Sequence, residues 1–286
     1  LAPGLQAQLP FGARHLFVLH CPSNLQFFLR PPSNSVQDQA ITGATRLDLA
    51  SGLKIDLQGE QKMGHDPRGS ALDLQTPELN KWSATSFIGR AQYEGGVMGT
   101  TVNVQSVRWH YLNNGQAPIR DRLSNYLGLT LAAKALPNTS FLLDFSVRQE
   151  SYDDNKNLDN TIYPASTGAR WEMTGNASGE FLVGYQHLRF TRAAVDQQGP
   201  VLSLFRRDQD SYDNLFMMGK LRWSPVANLH ITVQPYRTIQ QTVVAGTAYF
   251  TATGVNLSTA YPLGMRMELT TNLGYEKDAF SSQSGT

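Results

Sequence analysis

One cysteine, Cys21, stands in 286 residues. That excludes an internal disulfide, a cysteine zinc site and a thiolate-ligated cluster, and the missing CxxCH excludes covalent c-type haem. Charge is scarce too: 16% of residues are charged, against about a quarter in a typical soluble domain. A larger core does not replace it, since apolar residues reach only 41%. Ser, Thr, Asn and Gln fill the gap, together with 24 Gly and 11 Tyr. Neither sign of charge is in excess, because 24 basic and 23 acidic side chains leave +1. A phosphate-binding surface carries a basic surplus, so nucleic acid is not an expected partner. Long apolar runs are also missing: a run such as Leu215 to Met218 falls far short of the roughly 18 residues of a membrane-spanning helix. HExxH, GxSxG and a Gly-rich phosphate loop do not occur. One membrane class remains compatible with this composition, the chain that crosses as strands.

The pattern along the chain supports that class. In 138–150, Thr139, Phe141, Leu143, Phe145 and Val147 alternate with Ser140, Asp144, Ser146, Arg148 and Glu150. In 265–275, Met265, Met267, Leu269, Leu273 and Tyr275 oppose Arg266, Glu268, Thr270 and Asn272. Leu53, Ile55 and Leu57 oppose Lys54, Asp56 and Gln58 in the same way, and Thr167, Ala169, Trp171 and Met173 oppose Ser166, Arg170 and Glu172. Successive side chains of a strand point to opposite faces, so these segments are strands with one apolar and one polar face.

The connections carry more information still. Short turns fall at 10–14, 50–53, 94–97, 136–138, 175–179, 225–228 and 262–264, and longer polar segments at 31–43, 63–80, 111–122, 151–163, 193–212 and 238–247. They alternate strictly, as an antiparallel up-and-down transmembrane β-barrel requires of its short periplasmic turns and long extracellular loops. The spacing predicts fourteen strands, near 3–9, 15–30, 44–50, 52–62, 82–94, 97–110, 123–133, 138–150, 164–174, 179–192, 213–223, 228–237, 248–261 and 265–275. Within 15–30, Cys21-Pro22-Ser23 predicts a bulge or break, because proline cannot donate to a ladder. Residues 1–286 form a single barrel domain. The first predicted strand descends and the last ascends, so the expectation is a chain incomplete at both ends and at least 16 strands in the whole barrel.

If the apolar face meets lipid, the polar face lines a lumen. The candidate lining residues are Asp144, Arg148, Glu150, Arg170, Glu172, Lys220, Arg222, Arg266 and Glu268, with mixed charge. Any one of them can simply pair across strands in a wet interior; only the set makes a functional claim. Trp82, Tyr93, Trp109, Tyr126, Trp171, Trp223, Tyr249, Tyr261 and Tyr275 stand near strand ends, the position of interfacial girdles. Asp153-Asp154-Asn155 with Asp159, and Asp208 to Asp213, offer oxygen ligands but lack the pattern of a calcium loop, so no metal is expected. In His65-Asp66-Pro67-Arg68-Gly69 a fixed turn is the first reading, with Arg68 as a candidate plug contact. Of the six histidines, His187 and His230 are the ones to inspect for a Ser–His pair across strands.

Several segments resemble one family. Arg46-Leu-Asp-Leu-Ala-Ser-Gly-Leu-Lys-Ile-Asp-Leu57 followed by Gly64-His-Asp-Pro-Arg-Gly-Ser70 is similar to the β-barrel porin 2 family. Arg108-Trp-His-Tyr-Leu-Asn-Asn114, Pro137-Asn-Thr-Ser-Phe-Leu-Leu-Asp-Phe145, Tyr152-Asp-Asp154, Leu158-Asp-Asn160, Gly168-Ala-Arg-Trp-Glu172, Val183-Gly-Tyr185 and Leu221-Arg-Trp-Ser-Pro225 follow in family order. The resemblance implies a large bacterial outer-membrane barrel associated with exopolysaccharide loci. It implies a non-enzymatic conduit without cofactor, with a polysaccharide as cargo and periplasmic export or co-polymerase proteins and outer-membrane lipid as partners. It carries over no catalytic residue. The rival expectations are a general or sugar-uptake porin, a sheath around a partner protein, and an outer-membrane hydrolase. An uptake porin would fold a loop into the lumen and segregate charge across the constriction.

Overall fold

Fourteen runs of alternating residues become fourteen strands in a computed structural model, which describes residues 4–11, 15–26, 36–49, 52–66, 78–173, 176–191, 210–226, 228–241, 249–262 and 267–280. In chain order they are β1 (Gly4–Phe11), β2 (His15–Gln26), β3 (Val36–Asp48), β4 (Leu53–His65), β5 (Lys81–Glu94), β6 (Met98–Tyr111), β7 (Arg122–Leu136), β8 (Thr139–Tyr152), β9 (Asn160–Met173), β10 (Ala177–Phe190), β11 (Ser211–Val226), β12 (Leu229–Gln241), β13 (Tyr249–Pro262) and β14 (Glu268–Phe280). Each pairs antiparallel with its sequence neighbours in one sheet of order β1 to β14, an up-and-down meander whose edges are β1 and β14. The connections alternate as expected: 137–138 and 227–228 at the short end, 66–80 and 191–210 at the long end.

Two features depart from expectation. β3 begins at Val36, well before residue 44. Its first half, Val-Gln-Asp-Gln-Ala-Ile-Thr-Gly, carries polar residues on both faces, so no period of two announces it. Pro22 also breaks nothing: β2 runs through it, with Gly4 opposite Pro22 on one side. On the other side the ladder with β3 omits Cys21 and Pro22, yet His20–Thr42 and Ser23–Gln39 share one register. A missing donor there removes ladder contacts without shifting the strand.

The register assigns the faces. Leu127 and Leu129 on β7, Phe141, Leu143 and Phe145 on β8, and Phe181 and Val183 on β10 share one face and are exposed. Exposed apolar side chains in such a band suit hydrocarbon, not water. At about 3.3 Å per residue a strand of fourteen residues reaches about 45 Å, well beyond an apolar band about 25 Å tall. The surplus lies toward the long connections, where the same outer face turns polar: Ser106 bonds Asn125 at 2.9 Å and His187 meets Asp213 at 2.7 Å.

β9 and β10 approach unusually closely. A Cβ on Gly168 would lie 1.8 Å from the Phe181 carbonyl oxygen, and one on Gly184 would lie 2.0 Å from that of Ala165. Any side chain there must force the strands apart. Gly168→Ala is therefore expected to destabilise the barrel by about 1–3 kcal/mol, read as a lower urea midpoint for loss of the folded, heat-modifiable band. An unchanged midpoint would show that the two strands yield freely.

Candidate functional site

The polar face develops in rows across the strands. One row runs Ala132, Leu142, Gly168, Leu182 and Met218. Within and beside it Leu142, Leu182 and Phe216 form a buried apolar layer. A second apolar cluster sits toward the long connections and holds Ile119, Tyr152, Leu158, Ile162, Leu188, Phe190, Tyr212 and Ile239, with Tyr249 packed against it. Ile119 and Leu158 come from the connections themselves, so those segments fold onto the polar face and bury it. Between the two apolar layers lies a cleft of about 570 Å³.

The segment that closes this cleft is short and well fastened. After β6 the chain reverses through Asn114 and Gly115, both at positive φ (57° and 63°), and enters a single helical turn, α1 (Ala117–Arg120), with Pro118 in its first turn. Proline suits that position because its missing N–H has no intrahelical partner to lose. Asn114 donates to the Glu78 carbonyl and to Asn80 Oδ1, at 3.0 and 2.9 Å, and Asn113 donates to the Leu79 carbonyl at 3.0 Å. Arg120 at the end of the turn is 4% exposed and donates to Asp66, 5% exposed, at 2.6 Å. Its guanidinium also stacks over Tyr111, 4.0 Å from the ring centre. Asp121 accepts from the Tyr111 backbone N–H at 2.7 Å. The 3-10 turn Lys156–Leu158 is fixed in turn by Asp159, which accepts from Tyr152 N–H at 2.7 Å.

Several charges on the wall are paired with near neighbours. Arg122 donates to Glu150 at 3.2 Å, and Ser124 holds the other oxygen of Glu150 at 2.8 Å. Arg170 meets Glu180 across β9 and β10 at 2.7 Å. Toward the short turns Arg46 meets Asp48 at 3.1 Å and Lys54 meets Glu94 at 3.5 Å. Asp144 accepts the Thr130 hydroxyl at 2.6 Å. Of the expected residues, Asp144, Arg148 and Glu150 line the cleft. Register places Arg170, Glu172, Lys220 and Arg222 on the same face, closer to the short turns. Arg68 and Arg266 lie outside the described residues, as does the side chain of Glu268.

Some placements depart from expectation. Trp82 and Trp109 pack edge to face at 4.9 Å on the polar face, and Tyr126 lines the cleft. These three are not girdle residues. Tyr93, Trp223, Tyr261 and Tyr275 are exposed, as girdle residues would be. His187 lies on the outer face with Asp213 and Tyr163. His230 Nδ1 does lie 2.8 Å from Ser224 Oγ, but among the described residues nothing holds its other ring nitrogen, and a dyad without an orienter is a weak nucleophile. Among the described residues no group of three metal-ligating side chains converges. Asp153 is taken by Arg108 and Asp159 by the backbone.

Arg120, Arg122, Glu180 and Gln186 were not on the expected list. Glu180 and Gln186 share the alternation of β10 and were within reach of it. Arg120 and Asp66 sit in separate connections, and only the fold joins them.

A one-sheet meander with an exposed apolar band and a charge-compensated polar wall is the architecture of an outer-membrane β-barrel. The chain belongs to the family described as putative beta-barrel porin 2, whose model matches residues 11–286, and it is a protein of the bacterial outer membrane. Comparison with curated proteins finds no match. Among solved structures it is similar to the FrpB iron transporter from Neisseria meningitidis (F5-1 variant), at 11% identity and a TM-score of 0.50 over 96% of this chain and 52% of that one. It is also similar to the open form of the ferric-catecholate import receptor Fiu from E. coli K12, at 7% identity and a TM-score of 0.50 over 97% of this chain and 63% of that one. The chain thus spans between half and two thirds of these structures, and identities this low establish a shared fold alone.

The buried Arg120–Asp66 pair is the main tie between α1 and the β4 end. Arg120→Ala leaves a carboxylate buried and alone, which is expected to cost about 3–5 kcal/mol. Limited proteolysis should then cut within 112–121 much faster than in the parent. Replacing both partners with apolar residues should recover much of the loss; equal cutting in all three proteins would remove the pair from this role.

Proposed function

We propose that the barrel is a non-enzymatic conduit through which an exopolysaccharide leaves the cell, with the polar face as its lumen wall. The observation that carries this reading is the compensation of charge along that face, from Arg46–Asp48 and Lys54–Glu94 through Arg170–Glu180 to Arg122–Glu150. Paired charges interleaved with Thr, Ser, Gln and Asn give a hydroxyl-rich polymer many weak partners and few deep wells. A conduit needs binding that admits its cargo and lets it go. Periplasmic export or co-polymerase proteins would engage the short turns, and lipid the apolar face.

A sugar-uptake porin is the second reading, and one observation favours it: the 112–121 segment packs onto the polar face, with Ile119 in the buried cluster. The accompanying charge pattern runs against it, because the wall pairs opposite charges and does not segregate them.

Deleting the gene in its native host and restoring it from a plasmid separates the two. Export predicts that extracellular polysaccharide falls to background in the deletion and returns on complementation, while growth on sugars is unchanged. Normal polysaccharide with slowed sugar uptake would replace the first reading with the second. In planar bilayers the full-length barrel should conduct with little preference between K⁺ and Cl⁻; a strong preference would contradict the compensated wall.

A further inference from the structure

Three arginines line the cleft, and two are neutralised: Arg120 by Asp66 and Arg122 by Glu150. Arg148 is not. It projects from β8 between Tyr126 on β7 and Ile162 on β9. Its one ring contact is with Tyr126, 6.0 Å from the centre, and among the described residues it has no hydrogen bond or carboxylate partner. Across the same cleft stands Gln186, 2% exposed, whose Oε1 accepts from Thr238 at 3.4 Å while its Nε2 meets no acceptor among the described residues. Ser166, beside Asp144 in the register and 7% exposed, also has an unmatched hydroxyl. Buried donors without acceptors are costly, and here the unmatched Gln186 amide shares the cleft with an uncompensated cation, with Ser166 close beside it in the register.

We infer that this cleft is a subsite for an acidic saccharide, with Arg148 receiving the carboxylate of a uronic acid unit and Gln186 donating its free amide N–H to the same unit. Asp144 stands four residues from Arg148 on the same face of β8, about 13 Å along the strand. Held by Thr130, it accepts sugar hydroxyls at the other end of the cleft. An acceptor at one end and a cation at the other orient the chain, since a carboxylate beside Asp144 would be repelled. Arg148 is exposed within the cleft, so a carboxylate reaches it directly from solvent, and the charge-assisted bond it makes weakens as salt rises. The inference deepens the conduit reading and rests on it for the polymer's presence; it specifies that the cargo is acidic.

The test is equilibrium binding by the detergent-solubilised full-length protein, with calorimetric titration of oligogalacturonate and of a neutral malto-oligosaccharide of equal length. Oligogalacturonate should bind about tenfold more tightly than the neutral oligomer, the size of one charge-assisted hydrogen bond, and the advantage should shrink as salt rises. Arg148→Gln should abolish the difference between the two oligomers, and Arg148→Lys should keep much of it. Heat-modifiable migration checks that each variant is folded. Equal binding of the two oligomers by the parent overturns the subsite, as does an acid preference that survives Arg148→Gln. The conduit is judged separately by conductance in planar bilayers. An acid preference in a barrel that carries no current would sink the conduit and keep the site, and a conducting barrel without the preference would do the reverse.

Discussion

Inside a bilayer no water is available to a peptide group, and each unpaired N–H or C=O costs several kcal/mol. The pairing of every strand with its sequence neighbours from β1 to β14 answers that constraint, and the other features follow from it. Sequence-adjacent antiparallel pairing satisfies the backbone with the shortest connections. Once pairing is set, the pleat alone decides which side chains meet lipid and which meet one another. The same constraint explains the tolerance of Pro22. Its register with β3 is held by residues on either side and that with β1 by the residues before it, so a single missing donor does not release the strand.

The polar face is not uniformly wet. A layer of Leu142, Leu182 and Phe216 and a larger cluster around Ile119, Leu188 and Tyr212 interrupt it, and both are built from positions where a purely aqueous wall would carry polar groups. Burial of these side chains holds the loop-derived residues Ile119 and Leu158 in place, and a buried ion pair sets their approach. Apolar burial supplies the non-directional part of that attachment, and Arg120–Asp66 supplies the geometry. The cleft between the layers therefore depends on residues that are far apart in sequence.

How much was legible follows the same division. β8 could be read residue by residue, because Phe141, Leu143 and Phe145 face lipid while Asp144, Arg148 and Glu150 face away, and a period of two results. The start of β3 could not, since Gln37, Asp38 and Gln39 follow one another where no apolar side is imposed. Trp82 and Trp109 were misplaced because a position near a strand end does not say which face a residue occupies. Their parity with Arg90 and Gln92 on β5 and with Asn103 and Gln105 on β6 would have been the better guide. Arg148 was visible as a polar-face residue; its isolation was not, because compensation depends on which acid lies across the neighbouring strands. Arg120 and Asp66 gave no sign of each other, since no local period links a helical turn before β7 with the end of β4.

The contrast among arginines is an argument about what the wall can do. Where an arginine faces its own carboxylate, as Arg170 faces Glu180, the pair is already neutral, and a passing carboxylate would have to displace Glu180 to gain anything. Where the cross-strand neighbours are Tyr126 and Ile162, no internal acceptor among the described residues competes, and the gain on meeting an external one is undiminished. Register thus distributes affinity along the wall. In the proposed conduit the compensated rows would let a polymer slide and the row of Arg148 would set its preference. A one-residue slip of β9 against β8 would bring Tyr163 or Thr161 opposite Arg148 and turn the outer apolar set inward, so the register is fixed by the lipid-facing side chains and leaves that arginine beside Ile162.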